Sequence, residues 1–456
     1  MHISNRPFDS ITLGETAELR RLITTDDLLV YAAASGNYNP MHLPIADVDG
    51  DGQRERAAPG MFVASMISGV LGTQLPGPGT RLLHQRLDYP ARAQAGDELL
   101  CRVCVLAKAE GRVRLSAEVT RPADGQTIVT GEVEVEAPLT PYATDQEVPG
   151  LIVQRHRHFE AMLDRARILP ALPTAVVCPE DDKALEGALL AQREGLITPI
   201  LIGDAAGIAA AAARIGADLT GIEILDTPRH EAAALACALV HQGRAQAVMK
   251  GHLHTDDLLR PMLDKDRGLR VGRRFTHVFV MDVPGMDHPI MVTDAAINIA
   301  PDLAAKVDIV QNAINLARAL DMPPRVGVLS AVETVNPAIQ SSIDAALLSK
   351  MAERGQITGG AVDGPLAMDN AVDLAAARTK GLAGGVAGRA NILVVPGIDA
   401  GNMLAKQLTY ISHAESAGLV LGARVPVILN SRSDSAMSRL SSCAVAAIHH
   451  FRGQGA

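Results

Sequence analysis

From Leu151 to the C-terminus the chain alternates short, uninterrupted apolar runs with alanine-rich stretches of helical length, and this rhythm limits the fold most. Strands are predicted at Thr174–Cys178, Pro199–Gly203, Gly221–Leu225, Ala245–Met249, His277–Met281, Ile290–Thr293, Val326–Ser330, Ile392–Pro396 and Val425–Asn430. A run without polar alternation suits a strand covered by helices on both faces, so the pattern predicts an α/β parallel sheet. So many strands rarely share one sheet, and two subdomains are expected.

Residues 1–137 follow another pattern. A strand over Glu15–Ile23 precedes the helix start Thr24-Thr25-Asp26-Asp27, with Leu28–Ala34 as the helix body. The helix Met61–Leu75 is apolar nearly all round and should be buried. Strand-like segments follow at Arg81–Tyr89, Glu98–Ala107, Arg112–Arg121 and Thr127–Val135. One buried helix followed by consecutive strands fits an antiparallel sheet wrapped round a helix, an α+β domain. Residues 138–150 hold three prolines and no apolar periodicity, so they read as a linker between domains 1–137 and 151–456.

Composition narrows the function. Aromatics make up 2% of the chain, tryptophan is absent and the net charge is −9, which speaks against nucleic acid as a partner. The five cysteines are scattered, and Cys101 and Cys104 lack the second pair of a zinc ribbon. They read as reduced packing residues of a cytoplasmic protein. The N-terminus lacks the blocks of a signal peptide, and no apolar run reaches membrane-spanning length. Lys265, Arg267, Arg270, Arg273 and Arg274 form a basic cluster that suits either a solvated face or an anionic ligand.

The stretch Ala245–Pro261 carries the densest chemistry. An apolar strand ends at Met249-Lys250, and a helix is expected from Thr255, its N-cap, with Asp256 and Asp257 in the first turn. Lys250 beside a helix start suits an anion. His252-x-His254-x-Asp256-Asp257 suits a metal, but Asp257 stands where the familiar pattern has another histidine, and the anion reading is preferred.

Five motifs in residues 151–456 resemble the phosphate acetyl/butyryltransferase family: Met249-Lys250-Gly251 with His254-Thr255 and Leu259-Arg260-Pro261; Asp294-Ala295-Ala296-Ile297-Asn298 with Pro301; Ala331–Pro337; Val362–Leu366 with Asp369; and Ala400-Gly401-Asn402 with Asn430–Ser435. Glu333-Thr334-Val335-Asn336-Pro337 and Ser431–Ser435 look nearer the butyryl branch. The resemblance implies two α/β lobes of the isocitrate-dehydrogenase type. It also implies reversible acyl transfer between CoA and inorganic phosphate, without metal, cofactor or prosthetic group. On this reading Arg432 and Ser431 hold the oxyanion and Asp434 takes the thiol proton. The acetyl branch carries its proposed base further along, where this chain has Ser438. Lys250, His254, Thr255 and Arg260 are expected to face substrate. Asp294, Asn298, Asp363 and Asn402 suit either ligand contact or turn stabilisation. Capping is an equally open role for Ser431 and Asp434. Glu333 has no assignment beyond its motif.

The loop Ser35–His42, with Gly60–Ser65, Leu71–Gly77 and Gly96-Asp97, resembles MaoC-type (R)-specific enoyl-CoA hydratases. The resemblance implies a hot-dog fold, usually dimeric, and catalysis by a carboxylate and an imidazole five residues apart. His42 is present, but Asn37 stands where the family has Asp, and Pro59 replaces the histidine before Gly60-Met61. An amide orients water without accepting its proton. His42 is thus an active hydratase residue, or a remnant serving acyl-CoA binding or dimerisation. Ser65 is a site residue or a small packing residue. The two resemblances make the chain a fusion acting on acyl-CoA and phosphate or acyl phosphate, a homo-oligomer of two or more subunits, with no membrane partner. The alternatives are a non-catalytic acyl-CoA-binding module and hydration as the main activity.

Overall fold

The computed structural model describes residues 2–45, 47–48, 55–145, 153 and 155–453, and the chain divides into two units, 1–153 and 154–456. The first runs β1 (His2–Ser4), β2 (Thr16–Leu22), α1 (Thr25–Ser35), a 3₁₀ turn (Pro40–His42), α2 (Gly60–Thr73), β3 (Arg81–Asp88), β4 (Glu98–Ala109), β5 (Arg112–Arg121), β6 (Gln126–Glu136) and β7 (Ala143–Asp145). Thr24 starts α1 through a reciprocal capping box with Asp27, an arrangement worth about 1 kcal/mol. The sheet order is β2-β4-β5-β6-β3, antiparallel throughout.

Alternation explains how the sheet closes on the helix. Leu99, Cys101, Val103 and Val105 of β4 and Val113, Leu115, Ala117 and Val119 of β5 are buried at every second position. They share one core with Phe62, Val63, Met66, Ile67 and Val70 of α2. This is the hot-dog arrangement. Cys101 is buried and Cys104 half-buried, as residues three apart on a strand should differ.

Two expectations are corrected. Helix α2 is not buried all round: Met61, Ser65, Ser68 and Gly72 form an exposed stripe, and small residues there hide the helix's amphipathic pattern from a hydrophobicity reading. The expected linker 138–150 is partly structure. Asn5 donates to the Thr140 carbonyl (3.0 Å), and β7 pairs with β1; residues 146–150 lie outside the described residues.

The second unit runs α3 (Arg157–Arg167), β8 (Leu172–Val177), α4 (Asp182–Arg193), β9 (Ile197–Gly203), α5 (Ala205–Ile215), β10 (Glu223–Asp226), α6 (Arg229–His241), β11 (Ala247–Lys250) and α7 (Thr255–Met262). It continues through β12 (Thr276–Asp282), β13 (Ile290–Thr293), α8 (Leu303–Ala319), β14 (Arg325–Leu329), α9 (Gln340–Glu353), β15 (Ala361–Leu366), α10 (Met368–Val372), α11 (Leu374–Thr379) and β16 (Ile392–Val394). It ends with α12 (Ile398–Tyr410), β17 (Glu415–Leu421), β18 (Val427–Ile428) and α13 (Ala436–Gly453).

All these strands join one eleven-stranded sheet in the order β10-β9-β8-β11-β18-β17-β12-β13-β16-β14-β15. Two separate sheets were expected; instead two parallel halves are sewn together by the antiparallel pairs β18/β17, β17/β12 and β12/β13. Helices cover both faces, as the continuous apolar runs require. Helix α13 is buried almost continuously from Ser438 to Ile448 and packs on α3, α4, α8 and β17.

Candidate active site

Two neighbouring parallel strands, β11 and β18, deliver the polar residues. Lys250 is the last residue of β11, 4% exposed, with its ammonium donating to the Asn430 carbonyl at 3.4 Å. The chain then turns into α7, whose N-cap is His254; Thr255, expected as the cap, is instead the first helical residue.

Beyond β18 the chain makes a tight polar turn before α13. Asp434 Oδ2 accepts from the Ser431 backbone N–H at 2.8 Å and from the Asn430 amide at 3.2 Å, and the Asp434 N–H donates to the Ser431 carbonyl at 3.1 Å. Asp434 therefore locks the turn. The helix start belongs to Ser435, whose hydroxyl accepts from the Ser438 N–H at 3.0 Å. From below, the Arg439 guanidinium donates to the Ser431 carbonyl at 3.0 Å. Ser438, at the base position of the resembling acetyl branch, donates its hydroxyl to Glu415.

These groups converge on a cavity of about 270 Å³. Lys250, His254 and Thr255 line it from β11 and α7, and Ser431, Arg432 and Asp434 from the turn. Arg432 reaches it exposed and hydrogen-bonded to no described residue. Asn402 lines the cavity from α12 and donates to the Ala295 carbonyl at 3.4 Å. Lys406, Thr409 and Tyr410 continue the same helix face. These three were not anticipated, although their spacing from Asn402 puts them on one side of a helix. Phe279 of β12 and Ser416 of β17 complete the floor.

The electrostatics favour an anion. Burial above all, then the Arg439 and Arg432 guanidinium groups, push the Lys250 amine down to about 8, with Asp434 opposing. The site lies where the parallel half of the sheet meets its antiparallel seam, a change of strand direction that opens a crevice at the strand ends.

Other expected contacts lie elsewhere. Arg260 is exposed on the last turn of α7 and does not line the cavity. Asp294 spends its acceptors on protein: Oδ1 takes the Ala296 and Ile297 N–H groups at 3.0 Å each, and Oδ2 takes the His277 N–H at 3.1 Å and the Asn298 amide at 2.6 Å. Asn298 also donates to the Phe275 carbonyl at 3.0 Å. The pair shapes a loop whose Ala296 reaches the cavity; neither of them lines it, and theirs is the turn-stabilising one of the two roles expected. Asp363 accepts the Gly364 N–H at 2.9 Å and is likewise off the cavity. Glu333 pairs with Lys380 at 3.2 Å, and Lys380 with Asp369 at 3.2 Å.

In the first unit, His42 lines a separate cavity of about 390 Å³ with Asn39, Tyr89 and Arg92. Its Nδ1 lies 2.9 Å from the Ala57 carbonyl. A carbonyl only accepts, so Nδ1 carries a proton, and in the neutral imidazole the lone pair is on Nε2. Asn37 does not line this cavity; its Oδ1 accepts the Asn39 N–H at 3.3 Å. Ser65 sits on the exposed stripe of α2, donating to the Phe62 carbonyl at 2.6 Å, so it neither packs in the core nor reaches His42's cavity.

Among the described residues no group of three or more His, Cys, Asp and Glu could hold a metal ion. His252 faces Asp181 at 3.8 Å instead. No described helix is long and apolar enough to cross a membrane.

Comparison with known proteins agrees with both halves. Residues 227–447 match the family model described as "Phosphate acetyl/butaryl transferase", and residues 12–113 match that of the "FAS1-like, dehydratase domain region". The phosphate acetyltransferase of Rhizobium meliloti is 55% identical over 300 residues, covering 65% of this chain and 95% of that protein. The phosphate butyryltransferase of Clostridium beijerinckii is 42% identical over 294 residues, covering 64% and 97%. The motif-level lean toward the butyryl branch is not repeated in these identities. The crystal structure of a branched-chain phosphotransacylase from Enterococcus faecalis is 31% identical, with a TM-score of 0.54, and covers 61% of this chain and 99% of its own. With such relatives matched over 95% and 97% of their own length, the chain belongs to the phosphate acetyl/butyryltransferase family and carries a hot-dog, dehydratase-like unit in front.

Proposed function

We propose that the second unit transfers an acyl group, acetyl or butyryl, reversibly between CoA and inorganic phosphate in the cavity of Lys250 and Arg432. The observation that carries this is the convergence of Lys250, Ser431, Arg432 and Asp434 from two adjacent strand ends on one cavity. A phosphate oxygen attacks the thioester carbonyl, negative charge builds on the carbonyl oxygen, and the C–S bond breaks to release CoA thiolate. Arg432 and the Ser431 hydroxyl stabilise that oxyanion, and Lys250 draws phosphate in. In reverse, Asp434, which lines the cavity and has its Oδ2 held by Ser431 and Asn430, takes the thiol proton. The cavity lies just below the ~300–1,000 Å³ of whole-ligand sites. It thus suits the reacting ends of the substrates, with the rest of the carrier outside.

The test is phosphate-dependent release of free CoA from acetyl-CoA and butyryl-CoA. Arg432→Ala should lower kcat by about 10²–10³ while CoA binding persists, as loss of an oxyanion donor does. No release by the wild-type protein with either thioester would favour an acyl-CoA sensor.

For the first unit we propose acyl-CoA binding at His42's cavity without efficient hydration. No carboxylate lines that cavity among the described residues, so its single base lacks an acid partner. Asn37 lies off the cavity, so Asn37→Asp should leave crotonyl-CoA hydration slow; a rise of about 10²-fold or more, the usual worth of a positioned acid–base group, would show that position 37 does reach the substrate. An already fast wild-type protein would make hydration a second activity. Both units taking CoA thioesters gives the fusion its rationale.

A further inference from the structure

Arg439 is the largest fully buried side chain among the described residues, 2% exposed, and lies on α13 beneath the Ser431 carbonyl. A guanidinium stays charged in a protein, and burying it is costly unless a carboxylate pairs with it. Among the described residues Arg439 makes no ion pair. Its one hydrogen bond goes from Nη2 to the Ser431 carbonyl at 3.0 Å, and Nε and Nη1 meet no acceptor. A second helix is shaped to admit it. A Cβ on Gly187 of α4 would stand 2.5 Å from Arg439 Cδ and 2.8 Å from its Cβ. An apolar residue would fill this place at lower cost, so stability does not explain an arginine.

We propose that Arg439 is a positioning residue for phosphate, holding the Ser431–Asp434 turn from beneath and adding a fixed positive charge behind Lys250 and Arg432. This rests on the acyltransferase reading. The charges facing it are Asp434 from the turn and Asp181 at the start of α4, with Lys250 and Arg432 as like charges. Cys443, one turn along α13, offers no counter-charge, because burial pushes its thiol up to about 12. The site's positive field is thus built in two layers, one that touches the anion and one that does not.

The experiment is steady-state kinetics of the full chain with phosphate and acetyl-CoA varied separately. Arg439→Met should raise KM for phosphate about 10-fold or more while KM for acetyl-CoA stays within about threefold, since the missing charge acts on the anion. Arg439→Lys, which keeps the charge but not the fork, should recover most of the phosphate KM. In Arg439→Met the alkaline limb of kcat/KM for phosphate should move to higher pH, as Lys250 loses a like-charged neighbour. Equal changes in both KM values, or a lower melting temperature with phosphate KM and pH profile unchanged, would overturn the proposal. Should Arg439→Met not fold, Gly187→Ala displaces the same side chain without removing its charge, and an unchanged phosphate KM there overturns it as well. A wild-type protein without phosphate-dependent CoA release instead defeats the transferase reading itself.

Discussion

At the scale of single residues, Lys250 is where burial and charge conflict. On the proposed acyl transfer the cavity uses its positive charge, yet burial and two guanidinium groups push the amine down to about 8 from an ordinary 10.5. The consequence is a pair of opposite trends. Below about pH 8 the ammonium is present and attracts phosphate; above it the charge is lost, so kcat/KM for phosphate should fall as pH rises through 8. Stability runs the other way. Between about 8 and 10.5 the unfolded chain holds a proton on Lys250 that the folded protein has released, so this group's contribution to stability rises with pH across that window. Lys250→Arg should retain activity above pH 8, and Lys250→Met should flatten both trends. An alkaline limb identical in wild type and Lys250→Arg would assign the titration to another group. Asp434 shows a different lesson at this scale. Its carboxylate was equally open to capping or catalysis on the sequence, and the capping belongs one residue later, to Ser435.

Elements with a uniform environment were readable. The strands around Val248, Val280 and Val292 carry apolar runs with no polar alternation at their centres because helices cover both faces, and that signal needs no partner to interpret. Strand β17 was not readable. It begins Glu-Ser-Ala-Gly, and Gly418 at its middle weakens any strand signal. The glycine is there for a neighbour far along the chain: a Cβ at 418 would lie 2.3 Å from the Leu429 carbonyl oxygen and 3.3 Å from His277 Nε2. Missing that strand hid the antiparallel seam, and with it the single sheet. The site divided in the same way. Residues with a local reason to be polar, at the end of β11 and in the turn after β18, stood out, whereas Lys406 and Arg439 matter through elements they meet only in three dimensions. Gly418→Ala tests the seam. It must separate β17 from β18, and overpacking of this kind costs about 1–3 kcal/mol. Because Leu429 leads directly into the Asn430–Asp434 turn, kcat should fall as well. A urea midpoint equal to that of the wild type would show that the strands have slack and that the seam does not set the turn.

At the scale of the whole molecule, the cores are separate in sequence. The hot-dog core runs from Ile11 to Ala137, and the three cores of the second unit draw only on residues from Phe159 to Ile448. Every described residue on the Lys250 cavity belongs to the second unit, and every described residue on the His42 cavity to the first. The Rhizobium meliloti acetyltransferase is matched over 95% of its length by 300 residues of this chain, so a protein of about that extent exists without a preceding unit. Residues 154–456 alone should therefore fold and release CoA from acetyl-CoA in the presence of phosphate with kcat within about threefold of the intact chain, as expected for a domain with its own core and complete site. Calorimetry of the intact chain should resolve two unfolding transitions, one of them reproduced by the isolated 154–456 fragment. A fragment that folds but loses about tenfold or more in kcat would show that the hot-dog unit supplies something to acyl transfer beyond the residues on the cavity. Acyl-CoA handed from one unit to the other would then become the question to pursue.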